Sequence, residues 1–263
     1  MANLDDAYAN AAHIEGSEAY PTKWADAAAA YRIALDNRFR SGISYGPSER
    51  ARYDLFEPKG TVEGIMIFVH GGYWLRLNRT DWSHLAEGAN ARGWAVAMPS
   101  YDLCPSVSIA SITQQIASAV MAIAATRSVP LTLAGHSAGG HLVARMLSPG
   151  MLPRHVCARI RHVVPISPVA DLEPLIDTSM NRAFRLDTDM ARAESPLYQP
   201  APKTPVTIRV GAAERPAFLD QAQRLGAAWN CPVDVVPDLH HFDIIDAFED
   251  KASDLVKTLT PTD

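Results

Sequence analysis

Three observations predict an α/β protein, built on a mostly parallel central sheet with helices on both faces and carrying a small helical cap insertion. Short apolar runs alternate with stretches of helical period from position 64 onward. Those runs lack the polar/apolar alternation of a sheet with one wet face, as expected of strands covered on both sides. One stretch between two runs then breaks the rhythm with three prolines.

The elements follow in order. The first 50 residues are Ala-rich, with a helix expected around 21–35, and they are expected to pack on the domain as an N-terminal extension. Strands are expected at 65–69, 95–98, 131–134, 163–166 and 206–210, with a weaker sixth at 233–236. Thr80 is expected to cap a helix running from Asp81 to about Arg92 and ended by Gly93. Ile109, Ile112, Ile116, Val120 and Ile123 recur at spacings of three and four, which gives one apolar face of a long helix. The same spacing in Phe218, Ala222, Leu225 and Trp229, and in Ile245, Phe248, Ala252, Leu255 and Leu259, predicts two more. Residues 171–200 hold Pro174, Pro196 and Pro200 among mixed helix-like stretches and read as the cap, a surface insertion being the other reading.

Composition bounds the partners. A chain of 263 residues, 48% hydrophobic and 20% charged, buries a full core and is expected to form a single domain over 1–263. A net charge of −5 with both signs dispersed leaves no basic stripe for nucleic acid or an anionic membrane. Cys104, Cys157 and Cys231 are widely spaced and form no CxxC pair, which suits a reducing compartment. Residues 1–10 lack the apolar stretch of a signal peptide, and no run approaches the roughly 18 residues of a spanning helix. The expectation is a cytoplasmic protein that touches no membrane. A homodimer is left open as the assembly state.

The chemistry is concentrated in four loops. The run 131–134 leads directly into Gly135-His136-Ser137-Ala138-Gly139 and then an apolar helical stretch, so GxSxG stands in strand–turn–helix context. A serine on such a sharp turn leaves no room for side chains two positions to either side, and the turn lifts Oγ clear of the backbone. The run ending at Val69 leads into His70-Gly71-Gly72-Tyr73-Trp74. There the backbone N–H groups of Gly72 and Tyr73, with that of Ala138, are expected to form an oxyanion hole. A plain Gly-Gly turn is the competing reading of that loop.

Serine needs a base, and the chain order in this arrangement is Ser, acid, His. Of nine histidines, only His240 and His241 lie between the last strand candidate and the last helix, and His241 is the first choice. His70 is expected to prop the oxyanion loop, with His136 and His141 flanking the serine turn. The acid should follow the strand at 206–210, where Glu214 is the available carboxylate; Asp171, after the preceding strand, is the alternative position. Asp238 and Asp243 lie too close in sequence to the histidine loop to be preferred. No HxxxH or HExxH set is present, so neither metal nor other cofactor is expected.

With these residues in place the chain resembles the kynurenine formamidase (arylformamidase) branch of the α/β-hydrolases, related to hormone-sensitive-lipase-like esterases. HGGYW from His70 is similar to the formamidase form of the HGGG motif. SYDLCP from Ser100, GHSAGGHL from Gly135, and the VGAAERPAF and HHFDII segments also carry the resemblance, as do the cap pieces DLEPL, TSMN and SPL. It covers about residues 50–260, with a looser echo near Pro21-Thr22-Lys23-Trp24. The departure is Glu214, where those relatives carry aspartate. What the resemblance implies is hydrolysis of N-formyl-L-kynurenine to L-kynurenine and formate, so the expected partner is a small-molecule substrate. Tyr73, Trp74 and Phe184 are candidates to line an aromatic substrate pocket, core packing being the equal alternative. A broad carboxylesterase or thioesterase is the competing function. A hydrolase fold reduced to ligand binding and a metal-dependent formamidase of unrelated fold are the remaining readings.

Overall fold

The computed structural model describes residues 4–261. Its eight strands are β1 (Phe39–Ser44), β2 (Arg52–Phe56), β3 (Gly64–Val69), β4 (Trp94–Pro99), β5 (Leu131–His136), β6 (Ile160–Ile166), β7 (Ile208–Gly211) and β8 (Val233–Val236). They form one sheet in the order β1-β2-β4-β3-β5-β6-β7-β8. The β1/β2 and β2/β4 pairs are antiparallel and every other pairing is parallel. The helices are α1 (Leu4–Ala7), α2 (Tyr20–Leu35), α3 (Glu87–Ala91), α4 (Ile109–Ala124), α5 (Ala138–Arg145), α6 (Arg154–Cys157), α7 (Asn181–Phe184), α8 (Thr188–Glu194), α9 (Pro216–Trp229) and α10 (Asp254–Leu259).

Two apolar layers sandwich the sheet, and strand alternation divides the side chains between them. Ile65, Ile67 and Val69 of β3 join one cluster with the Ile109–Ile123 face of α4, Leu142 and Val143 of α5, and Phe218, Ala222, Leu225 and Trp229 of α9. Met66 and Phe68 join the other, with Trp24 and Leu35 of α2, Ala89 of α3, and Leu255 and Leu259 of α10. Each Ile or Val fully buried on the α4 face contributes about 2 kcal/mol of hydrophobic stabilisation. Both faces of the central strands are therefore dry, which is why their sequences read as unbroken apolar runs.

All six expected strands are present. The fifth starts later than expected, because Val206 makes only a single bridge to Val163 before β7 begins at Ile208. Strands β1 and β2 were not foreseen, and their absence from the reading has a physical cause. Asp54 points inward from β2, fully buried, and accepts from Gly42 N (2.8 Å), Ser41 Oγ (3.1 Å) and Arg79 Nε (2.7 Å) across a bulge in β1. A buried carboxylate and a Gly42 at φ 68° destroy the apolar pattern of a strand pair. Phe39–Ser44 thus forms an edge strand of the sheet, while Trp24 and Leu35 of α2 pack into its core.

Two helix expectations are corrected. Asn78, not Thr80, starts the segment after β3, through a capping box with Asp81, and two short 3-10 turns precede α3; Gly93 does end it, at φ 82°. The expected helix through 245–259 is split into a 3-10 turn at Asp246–Phe248 and α10, because Ser253 Oγ accepts from Val256 N and restarts the helix. Residues 171–200 carry 3-10 turns at Glu173–Asp177 and Pro196–Tyr198 around α7 and α8. Among the described residues, no helix is long and apolar enough to cross a membrane.

Candidate active site

The C-terminal ends of β3, β5, β6 and β7 deliver the candidate residues to one place. Ser137 sits between β5 and α5 at φ 57° and ψ −117°, a conformation only glycine enters without strain. Its N–H donates to Ile166 O of β6 at 2.8 Å, which fastens the turn to the next strand. The flanking glycines are demanded by backbone: a Cβ on Gly135 would lie 2.2 Å from Gly139 O, and one on Gly139 would lie 2.0 Å from Val69 O. Gly139→Ala is therefore expected to destabilise the fold by about 3 kcal/mol or more, lowering the thermal midpoint by about 6–12 °C. Gly150→Ala, where φ is 79° but nothing lies within 4 Å of the added carbon, should cost about 1 kcal/mol. Equal midpoints for the two variants would refute the steric account.

The loop after β3 packs directly on this turn, since a Cβ on Gly71 would lie 2.8 Å from His136 O and 3.0 Å from Ser137 Cβ. Gly72, Tyr73 and Trp74 all have positive φ, at 103°, 53° and 56°. Among the described residues, none of the N–H groups of Gly72, Tyr73 and Ala138 has a protein acceptor. Three unspent donors flanking a serine are what an oxyanion needs. His70 stacks on Tyr101 (centroids 4.4 Å apart, planes 11°) and its Nδ1–H donates to Gly71 O at 2.8 Å, while Tyr101 OH donates to His70 O at 2.9 Å.

His241, in the loop after β8, has Nδ1 2.6 Å from Glu214 Oε2. The other carboxylate oxygen accepts from Ser167 Oγ (2.5 Å) and Gly211 N (2.9 Å). Burial works to raise the Glu214 pKa, but the His241 charge and the hydrogen bonds from His241, Ser167 and Gly211 outweigh it, and the carboxyl is held below its ordinary range. With Nδ1 spent on Glu214, Nε2 is the nitrogen left for proton transfer. No hydrogen bond joins Ser137 Oγ to His241, whose ring is bonded through Nδ1 to Glu214.

The competing acids and bases are engaged elsewhere. Asp171 is paired with Arg224 at 2.8 Å and accepts from Glu173 N. Asp243 accepts from His240 N at 2.7 Å, and the His240 ring lies 3.2 Å from Tyr20 OH of α2. His136 lies under the site and its Nε2–H donates to His241 O at 2.8 Å, which steadies the histidine loop. His141 donates from Nε2 to Glu194 O at 2.8 Å, and Arg145 of the same helix pairs with the Glu194 carboxylate, so α5 is fastened to the cap.

Burial lowers three of these imidazoles, His70 and His141 to about 4 and His136 to about 3, so all are neutral in the folded protein at pH 5. In the unfolded chain they titrate near 6.5. The unfolded state therefore binds more protons between about 6.5 and 4, and stability falls as pH falls through that window. By pH 5 each site costs about 2 kcal/mol. The thermal midpoint is expected to drop by on the order of 10–20 °C between pH 7 and 5. The depressed Glu214 carboxyl has its effect lower, its contribution being complete above its unfolded pKa and lost as pH falls through the folded one. A midpoint flat from pH 7 to 5 would contradict neutral burial of the three histidines.

A cavity of about 770 Å³ opens over Ser137 and His241, lined also by Gly72, Tyr73, His136 and Phe242. Trp74 and Phe184, offered as pocket residues, do not line it: both are buried and pack edge-on against one another, with centroids 5.7 Å apart, because the positive φ at Trp74 turns its indole into the core. Of the cap only Ser179 and Met180 reach the cavity; the N-terminal segment supplies much of the wall, through Tyr8, Asn10 and Pro21 among others. Sequence reasoning also missed Ser167, whose φ of 46° at the end of β6 aims it at Glu214. Among the described residues, no group of three or more His, Cys, Asp or Glu is arranged to hold a metal ion.

The strand order, the serine turn and the acid–histidine pair define an α/β-hydrolase architecture. The sequence model of the alpha/beta hydrolase fold family matches residues 66–230, more than half of the chain, and the chain belongs to that family. It is similar to the kynurenine formamidase of Danio rerio, 26% identical over 82% of this chain and 79% of that one, and to that of Salmo salar, 26% identical over 79% and 76%. These relatives agree with the resemblance read from the motifs. Among solved structures it is similar to a candidate thioesterase of Silicibacter sp. TM1040, 55% identical with a TM-score of 0.96 over 98% of both chains. Esterase B of Lactobacillus rhamnosis superposes with a TM-score of 0.65 at 17% identity over 93% of this chain and 90% of that one, a likeness of fold alone. Family and relatives together put the chain among hydrolytic enzymes.

Proposed function

We propose that this chain is a serine hydrolase whose reaction is removal of the formyl group from N-formyl-L-kynurenine. The observation that carries the chemistry is the His241–Glu214 pair at 2.6 Å beside Ser137 on its strained turn, in one cavity with Gly72 and Tyr73. The similarity to the two fish kynurenine formamidases supports the substrate.

In this reading Ser137 Oγ attacks the formyl carbon while His241 Nε2 takes its proton, and Glu214 holds the ring and balances the imidazolium. The carbonyl oxygen becomes negative and is met by the N–H groups of Gly72, Tyr73 and Ala138. Collapse breaks the C–N bond, and the imidazolium returns the proton to the departing aryl amine. Water, deprotonated by His241, then attacks the formyl ester; the C–O bond to Ser137 breaks, the imidazolium returns the proton to Ser137 Oγ, and formate leaves. An aniline leaves far more readily than an alkyl amine, so no device for unactivated amides is required. The role of the N-terminal and 171–200 segments in this reading is to roof one hydrolase domain.

A second reading, an esterase or thioesterase acting on small acyl groups with the same three residues, is favoured by the 55% identity to the Silicibacter candidate thioesterase. The deciding experiment follows absorbance as N-formyl-L-kynurenine, a short-chain nitrophenyl ester and a short-chain thioester are each offered without added metal. Efficient formamide turnover supports the first reading. Ester or thioester cleavage with formylkynurenine untouched would move the assignment to the second.

A further inference from the structure

We infer that Asn10 is a specificity residue that recognises a polar tail of the substrate, of the class of an α-amino-acid head group. The inference rests on the hydrolase reading of the cavity above. Asn10 lines that cavity, is only 6% exposed, and neither its Oδ1 nor its Nδ2 has a hydrogen-bond partner. A buried carboxamide without partners is rare, because both its donors and its acceptor have given up water for nothing. In the wall of a substrate cavity, the missing partner is a ligand group that both accepts and donates.

The segment that carries Asn10 is held firmly, so the carboxamide is presented from a fixed position. Tyr73 OH donates to Tyr8 O at 2.7 Å, Gln221 Nε2 donates to Tyr8 OH at 2.9 Å, and Ser179 N donates to Asp5 Oδ1 at 2.7 Å. The first of these ties Asn10's segment to a residue of the candidate oxyanion loop.

Two charges of opposite sign in the same lining narrow the ligand class. Arg76, four residues beyond Gly72, and Glu18 both border the cavity, and neither side chain makes an ion pair or hydrogen bond among the described residues. They do not pair with each other. A zwitterion satisfies all three groups at once: its carboxylate accepts from Arg76 and Asn10 Nδ2, and its ammonium donates to Glu18 and Asn10 Oδ1. A cavity of about 770 Å³ has room for such a tail beyond a small acyl group and an aromatic ring.

The test uses two aryl acetates of like reactivity, O-acetyl-L-tyrosine, which carries the α-amino-acid head group, and 4-methylphenyl acetate, which lacks it. The full chain is expected to prefer O-acetyl-L-tyrosine in kcat/KM by about tenfold or more. Asn10→Leu, which keeps the outline of the side chain and removes its polarity, should collapse that ratio mainly through KM. Asn10→Asp, which replaces the donor with a second anion facing the carboxylate, should do the same and serves if leucine unsettles the segment. No preference in the unaltered chain, or equal losses on both acetates in both variants, overturns the inference. Formylkynurenine turnover is read separately. Preference for O-acetyl-L-tyrosine lost in the Asn10 variants, without formylkynurenine turnover, would keep this inference and defeat the formamidase reading. Formylkynurenine turnover with an acetate ratio indifferent to residue 10 would do the reverse.

Discussion

Ser137→Ala is expected to lower kcat on formylkynurenine or a nitrophenyl ester by about four to six orders of magnitude while leaving the thermal midpoint within about 2 °C. The size follows from the role: without Oγ no acyl-enzyme forms, and what remains is water attack assisted by the oxyanion donors. The stability expectation follows from the backbone, because alanine at φ 57°, ψ −117° bears the same strain that serine does. Ser137→Gly separates the two effects. It should be as inactive as the alanine variant yet more stable by up to about 2 kcal/mol, since glycine enters this region freely and recovers the 1–3 kcal/mol of strain less its own chain entropy. Activity of Ser137→Ala within tenfold of the unaltered chain would remove Ser137 from the mechanism. A glycine variant no more stable than the alanine variant would remove the strain argument.

How much of this was legible in the sequence depended on whether a residue's neighbours are local. The serine turn was readable because the residues it demands are contiguous: a Cβ on Gly135 would strike Gly139 O, and the Gly139 position, though closed by Val69 O of β3, falls in the same five-residue motif. Strands β3–β6 were readable because both their faces are apolar. Strands β1 and β2 were not, because the buried Asp54 is paired with Arg79, a residue 25 positions away that no pattern around Asp54 reveals. The split of the last helix turned on one Ser253 hydroxyl competing with helical period. Positional logic gave Glu214 and His241, and the structure does bring them together; it could not give Ser167, whose part depends on the exact reach of a glutamate. For Trp74 and Phe184 the sequence left pocket and core as equal alternatives, because an aromatic beside a site faces cavity or core according to a backbone torsion that composition does not encode. The N-terminal wall escaped notice for the plainest reason, since residues 5–24 meet the site only through the fold.

Glu214→Gln is the second large effect. The substitution keeps the length and outline of the side chain, so the acceptor position served by Ser167 Oγ and Gly211 N can be filled by the amide oxygen. The amide nitrogen is then turned toward His241 Nδ1. A nitrogen that donates forces Nδ1 to accept, and the imidazole proton moves to Nε2, the atom that must be bare to take the serine proton. The variant is therefore folded, with the base in the wrong tautomer and no anion to balance the imidazolium, and kcat/KM is expected to fall by about 10³–10⁴. Glu214→Asp keeps the charge but is one methylene shorter, so it must release either Ser167 and Gly211 or His241; a loss of about tenfold to a hundredfold is expected, partly recovered if Ser167→Ala frees the shorter carboxylate to move toward the ring. The order Gln far below Asp marks charge and tautomer as the function of position 214. Near-equal activities of the unaltered chain and Glu214→Gln would return the acid's role to Asp171, despite its pairing with Arg224 at 2.8 Å.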